Sequence, residues 1–128
     1  MRALLDTHAL LWWLTDDAAL TRPARKIIAE TKNTVFVSAA SAWEIATKVR
    51  LGRLPTALDL VADFSSYIER EGFQLLAISV EHAIRGGLLP GPHKDPFDRM
   101  LIAQAQAENL PIISNEELFE GYGVRRLW

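Results

Sequence analysis

Asp6, Glu44, the pair Asp95 and Asp98, and Glu116 are the residues of this chain best suited to chemistry. Each stands where an apolar, strand-like run gives way to helical spacing, or one turn into the helix that follows. In open α/β sheets, ligands bind in the crevice outside the carboxyl ends of the strands, so acids placed there are candidates for one shared site. Two carboxylates brought to about 5 Å repel by roughly 3 kcal/mol at an effective dielectric near 20. Protonation of one acid, or a cation between them, relieves that repulsion. The chain has no cysteine, so its donors are hard oxygens that suit Mg²⁺ or Mn²⁺ better than zinc. A divalent ion held by carboxylates suits phosphodiester hydrolysis, because it activates water and neutralises charge on the phosphate.

Taken singly, every acid has a structural explanation. Asp6-Thr7 fits a helix start, with Thr7 as the N-cap. Ser41-Ala42-Trp43-Glu44 has capping-box spacing, and Glu44 precedes Lys48 by the four residues of a helical ion pair. Asp95-Pro96-Phe97-Asp98 reads as an N-cap, a proline at the first helical position and an acid at the third. Ser114-Asn115-Glu116-Glu117 fits another capping box and leaves Glu116 unassigned. Only the placement of these acids at one expected edge of a sheet argues for a common role.

The elements that must position them alternate. Residues 2–6 read as a buried strand and 8–15 as a helix apolar nearly all round. A helix over 21–32, with Pro23 in its first turn, leads to a strand at 34–38 and a helix over 39–50 closed by Gly52 and Pro55. A helix over 58–70 ends at Gly72, followed by a strand at 73–78 and a short helix over 80–88. Beyond a Gly-Gly and Pro-Gly-Pro loop, Asp95-Pro96 opens an Ala-rich helix to about residue 109. A strand at 111–114, a short helix over 116–120 and a last strand at 124–127 complete the pattern. Such alternation predicts a three-layer α/β/α domain with a central, mainly parallel sheet of about five strands, in one unit spanning 1–128.

Composition narrows the function classes. A hydrophobic fraction of 49% and a charged fraction of 23% are those of a globular domain, without a disordered or low-complexity segment. The N-terminal Met-Arg-Ala-Leu-Leu is interrupted by Asp6 and His8, unlike a secretory leader, and no run of ~18 apolar residues predicts a membrane span. The lack of cysteine agrees with a reducing cytoplasm. A net charge of −2 excludes a general polyanion binder, so any nucleic-acid contact must come from a local basic patch or through metal.

Five stretches together resemble the PIN-domain family. They are Leu-Leu-Asp6-Thr7-His8 with Leu10-Leu11-Trp12-Trp13; Val37-Ser38-Ala39-Ala40-Ser41-Ala42-Trp43-Glu44-Ile45-Ala46; Lys94-Asp95-Pro96-Phe97-Asp98-Arg99-Met100-Leu101-Ile102-Ala103-Gln104-Ala105; Pro111-Ile112-Ile113-Ser114-Asn115-Glu116; and the closing Tyr122-Gly123-Val124 with Leu127-Trp128. They follow in order across nearly the whole chain, and the branch they resemble most is the VapC-type toxin of toxin–antitoxin pairs. That resemblance implies a metal-dependent endoribonuclease using one or two Mg²⁺ or Mn²⁺ ions, with RNA as substrate. It also implies a cognate antitoxin that blocks the acidic site, and a homodimer. By position, Asp6, Glu44 and Asp98 would be the metal-binding and catalytic acids, with Asp95 auxiliary. Glu116 stands where the family most often has Asp; its extra methylene keeps the charge but moves the oxygens. Thr7, His93, Lys94, Arg99, Ser114 and Asn115 would border the site and contact substrate. Hydrolysis by activated water would leave 5′-phosphate and 3′-hydroxyl ends.

Rival readings are a catalytically inactive PIN-like module that binds RNA or protein, and metal-free catalysis by two histidines. Nothing in the spacing of His8, His82 and His93 brings two imidazoles together. A phospho-receiver domain needs an Asp after the third strand, where this chain has Ser79-Val80-Glu81. The clusters Lys48/Arg50/Arg53 and Arg22/Arg25/Lys26 read either as RNA contacts or as solvated faces. Trp12 and Trp13 read as an interface for a partner or second subunit, and Trp43 as core or interface rather than a base-stacking platform.

Overall fold

The computed structural model describes residues 1–128. Strands β1 (Arg2–Leu5), β2 (Thr34–Ser38), β3 (Gln74–Leu76), β4 (Ile112–Ile113) and β5 (Arg126–Leu127) form one parallel sheet in the order β3-β2-β1-β4-β5. Side chains alternate across it, as the twofold period of a strand requires. Ala3, Leu5, Val35, Val37 and Ile113 enter one core, and Leu4, Phe36 and Ile112 the other. The sheet is therefore covered on both faces, the usual condition of parallel strands.

Helices α1 (Thr7–Leu14), α2 (Arg22–Ala29), α4 (Leu58–Ala62) and α5 (Phe64–Arg70) bury Leu10, Ile28, Leu60 and Ile68 in the first core. Helix α7 (Pro96–Glu108) buries Leu101, Ile102 and Ala105 in the second, with α6 (Val80–Leu88) packed against it. Helix α3 (Ala39–Arg50) contributes Ala40 to the second core and Ile45 to the first, so it crosses the carboxyl end of the sheet. The three-layer architecture with five strands is the one the alternating pattern predicts.

Several local expectations need correction. Asp6, not Thr7, caps α1, and Ser38 caps α3, so the spacing from Ser41 to Glu44 is not a capping box. The helix expected over 58–70 is broken at Asp63, whose backbone leaves the helical region (φ −145°, ψ 49°) with no glycine or proline to mark it. Helix α2 stops at Ala29 because Glu30 turns extended (ψ 115°). Trp12 and Trp13 are half-buried against the first core; Trp13 donates its indole N–H to Glu71 at 2.9 Å and its ring meets Phe73. Trp43, expected in core or interface, is 54% exposed and so lies outside the core. No helix is long and apolar enough to cross a membrane.

Candidate active site

The sheet order turns back at β1, which pairs with β2 on one side and β4 on the other. Side chains leaving the carboxyl ends of β1 and β4 therefore meet at the switch point of the sheet, the ordinary ligand position of such folds. Asp6 follows β1 and Ser114 follows β4. Asp6 is only 4% exposed, yet both of its oxygens are engaged. Oδ1 accepts from the Ala9 backbone N–H at 2.8 Å, capping α1, and Oδ2 accepts from the Ser114 hydroxyl at 2.5 Å. Burial disfavours the charged form and raises the Asp6 pKa from 3.8 to about 6, against the Ser114 and Ala9 hydrogen bonds and the nearby His8, which lower it; the charge of Asp98 adds to the rise.

Glu44 lies on the second turn of α3, 6% exposed, with Oε2 at 2.7 Å from the Lys48 ammonium. The helical ion pair expected from their spacing is therefore present. Asp98 occupies the first turn of α7. Asp95 caps that helix, accepting from the backbone N–H groups of Phe97 at 2.9 Å and Asp98 at 3.1 Å, and Pro96 takes the first position. Asp98 Oδ2 lies 3.0 Å from His93 Nε2. Its pKa is raised, first by burial; the His93 hydrogen bond opposes this, while the charges of Asp95 and Glu44 add to it. Asp6 feels Asp98, and Asp98 feels Glu44 and Asp95, so these four acids share one field.

The donor set is all oxygen, as a hard divalent cation prefers. No three Asp, Glu or His side chains stand close enough together to hold an ion, since each acid is turned onto an internal donor: Ser114, Lys48 or His93. The donor chemistry fits a cation; binding would draw these carboxylates off their present partners.

Residues 3–124 match the PIN domain family. The chain is a PIN-domain protein. A curated relative, Ribonuclease VapC16 of Mycobacterium tuberculosis, is 41% identical over 59 residues, which cover 46% of this chain and 40% of the relative. The match thus spans well under half of that relative's length. Among solved structures, VapBC2 from Rickettsia felis bound to a promoter DNA fragment is similar over 100% of both chains, with a TM-score of 0.71 and 16% identity. A toxin–antitoxin complex from Klebsiella pneumoniae is similar over 89% of this chain and 86% of its own, with a TM-score of 0.53 and 19% identity. At such identities these likenesses speak to the fold.

Within this PIN domain, several residues expected at the substrate have other work. The Thr7 hydroxyl is buried and lies 2.9 Å from that of Ser41, tying α1 to α3. Ser114 is fully buried, and besides holding Asp6 it accepts the backbone N–H of Glu116 at 2.9 Å. The Arg99 guanidinium donates to the carbonyls of His93 and Leu89, fastening the loop that precedes α7. These three order the site from within, Thr7 and Ser114 as buried side chains and Arg99 as a partly buried one. Lys94 and Asn115 are exposed, and His93 is half-buried on Asp98. Glu116 is partly buried, and its backbone N–H donates to the Ser114 hydroxyl that holds Asp6.

Sequence reasoning missed Gln104. It is fully buried, accepts from the Ser38 hydroxyl at 2.5 Å and donates to the Ala77 carbonyl at 3.3 Å. Because Ser38 caps α3, this amide ties the helix of Glu44 to the helix of Asp98. The available signal was one amide inside the apolar run Leu101–Ala105 of α7, since buried polar groups are found where they can be paired.

Proposed function

We propose that this PIN-domain protein is a metal-dependent endoribonuclease, the toxin of a toxin–antitoxin pair, acting in the cytoplasm as one nuclease unit over residues 1–128. The observation that carries the reading is the mutual field of Asp6, Glu44 and Asp98 at the switch point of the sheet. Burial already raises the pKa of two of these acids, and a cation is the natural relief for such a cluster. The names of the relatives add support: one is a ribonuclease, and similar solved folds come from a VapBC pair and a toxin–antitoxin complex.

In this reading Asp6, Glu44 and Asp98 hold one or two Mg²⁺ or Mn²⁺ ions, with Asp95 auxiliary and Glu116 at the margin. When bound, such an ion acidifies water and neutralises charge on the phosphate. The chain's own residues prepare the place. Ser114 and the first turn of α1 fix the Asp6 oxygens. The Asp95 cap and the Arg99 contacts set the start of α7, which carries Asp98, and His93 is the imidazole at hydrogen-bond distance from Asp98. Lys94 and Asn115 are exposed and would touch RNA. The partner is an antitoxin that covers the acids, and an Arg side chain from it would replace the metal's charge. Two copies of the chain form the working dimer.

The test is cleavage of structured RNA by partner-free protein. Mn²⁺ or Mg²⁺ should support it, EDTA should stop it, and the products should carry 5′-phosphates. Asp98→Asn should abolish turnover, and wild-type cleavage by that variant would sink the assignment. Glu116→Gln should lose no more than about tenfold, consistent with a margin position. One observation favours an inactive binding module instead: every central acid already has an internal partner. Absence of cleavage with either ion, in protein that still binds RNA, would decide for that module.

A further inference from the structure

Trp43 stands apart from the other tryptophans. Trp12, Trp13 and Trp128 pack on the first core, whereas Trp43 is 54% exposed and its indole N–H donates to no protein group. Its one aromatic neighbour is Phe97, in an edge contact with ring centroids 4.7 Å apart and planes at 77°. That contact bridges α3 and α7 but leaves much of the indole in water. Both rings are direct chain neighbours of site acids: Trp43 precedes Glu44, which turns inward, and Phe97 precedes Asp98. On the same side of α3, two turns or about 10 Å further on, Arg50 is exposed with no carboxylate partner. An aromatic surface followed by an unpaired cation is the arrangement that holds single-stranded nucleic acid, the ring stacking on a base and the cation meeting phosphate.

We propose that Trp43, braced edge-on by Phe97, is a stacking platform for an unpaired nucleobase of the RNA strand, and so helps to choose which phosphate is presented to Glu44 and Asp98. This rests on the nuclease reading above for its setting, but the stacking is measurable without turnover. Stacking requires the base and not the backbone, which separates it from simple attraction to phosphates. It also separates the functional role of Trp43 from its packing on Phe97, because leucine can fill that contact without a π face.

The experiment measures binding of the full chain, with Ca²⁺ present, to oligoadenylate of about ten nucleotides and to an abasic ribose-phosphate chain of the same length. Trp43→Leu should weaken oligoadenylate binding about tenfold to a hundredfold and leave the abasic chain unchanged. Trp43→Tyr should stay within about threefold of wild type for both. Equal weakening of both probes, no weakening of either, or failure of wild type to prefer the base-bearing strand would overturn the platform. If Trp43→Leu unfolds, the Tyr variant still decides: loss of base-dependent binding in a folded Tyr protein counts against stacking. Cleavage assays in Mn²⁺ keep the two claims apart. Intact cleavage with base-independent binding removes the platform alone, while base-dependent binding without cleavage removes the nuclease reading alone.

Discussion

Asp6 and Asp98 face the same site and are held in opposite ways. Asp6 comes straight off the central strand, is almost wholly buried, and is gripped by a backbone N–H and the Ser114 hydroxyl. Asp98 sits at the start of a helix entered from an irregular loop, is one-quarter exposed, and is held by His93 and beset by the like charges of Asp95 and Glu44. Burial is the main burden on both, but it is far more complete at Asp6. The contrast assigns Asp6 to the rigid frame, with fixed oxygens, and makes Asp98 the acid that can turn toward a cation without disturbing the core.

The largest test of that contrast is Asp6→Asn. The folded pKa of Asp6, about 6, lies above its unfolded value of 3.8, so the folded state holds this proton more tightly. The stability so supplied is complete below about pH 4 and is lost as pH rises through about 6, a change of about 3 kcal/mol for this group. Urea titrations of metal-free protein should find Asp6→Asn more stable than wild type by up to that amount at pH 7.5, with the difference vanishing towards pH 4. A destabilised variant at pH 7.5 would break the assignment of Asp6 as a strained frame acid.

Ser114→Ala should act next most strongly. It strips the carboxylate of a donor that lowers its pKa, so the loss of stability should shift to higher pH than in wild type. At neutral pH the destabilisation should be about 1–3 kcal/mol, the usual consequence of leaving a buried polar group unpaired. The same titration reads both effects, and an unchanged midpoint would show that Ser114 does not hold Asp6.

Asp98→Asn should give the smallest change in stability, within about 1 kcal/mol, because relief of its partial burial and of repulsion is offset by loss of the partly exposed His93 contact. Thermal melts alongside the cleavage assay would check it. A stability gain as large as that of Asp6→Asn would erase the distinction between the two acids.

Much of this arrangement was legible in the sequence because it is local. A strand of apolar residues ending in an acid places Asp6, and Asp95-Pro96 announces the start of α7. The alternation of Ala3, Leu4 and Leu5 between two cores is the twofold period of a strand buried on both faces. What stayed hidden depends on contacts between distant residues. Asp6 and Thr7 are both good caps, and only the fold decides that Thr7 turns inward to Ser41. Arg99 reads as a phosphate ligand, and only the fold reveals that its guanidinium also donates to the carbonyls of the loop before α7. Asp63 breaks a helix without a breaker residue, and Trp43 looks like any aromatic of an amphipathic helix until α3 is seen to lie across the end of the sheet.

The hydrogen bond between Asp6 and Ser114 joins residues 108 positions apart. During synthesis the chain emerges N-terminal end first, and domains fold as units. Asp6 is therefore made long before the serine that fixes it, and its frame closes only once β4 is in place. A chain stopped short of β4 carries the acids but not the serine that holds the first of them. The order of this site is thus among the last features that synthesis of the chain delivers.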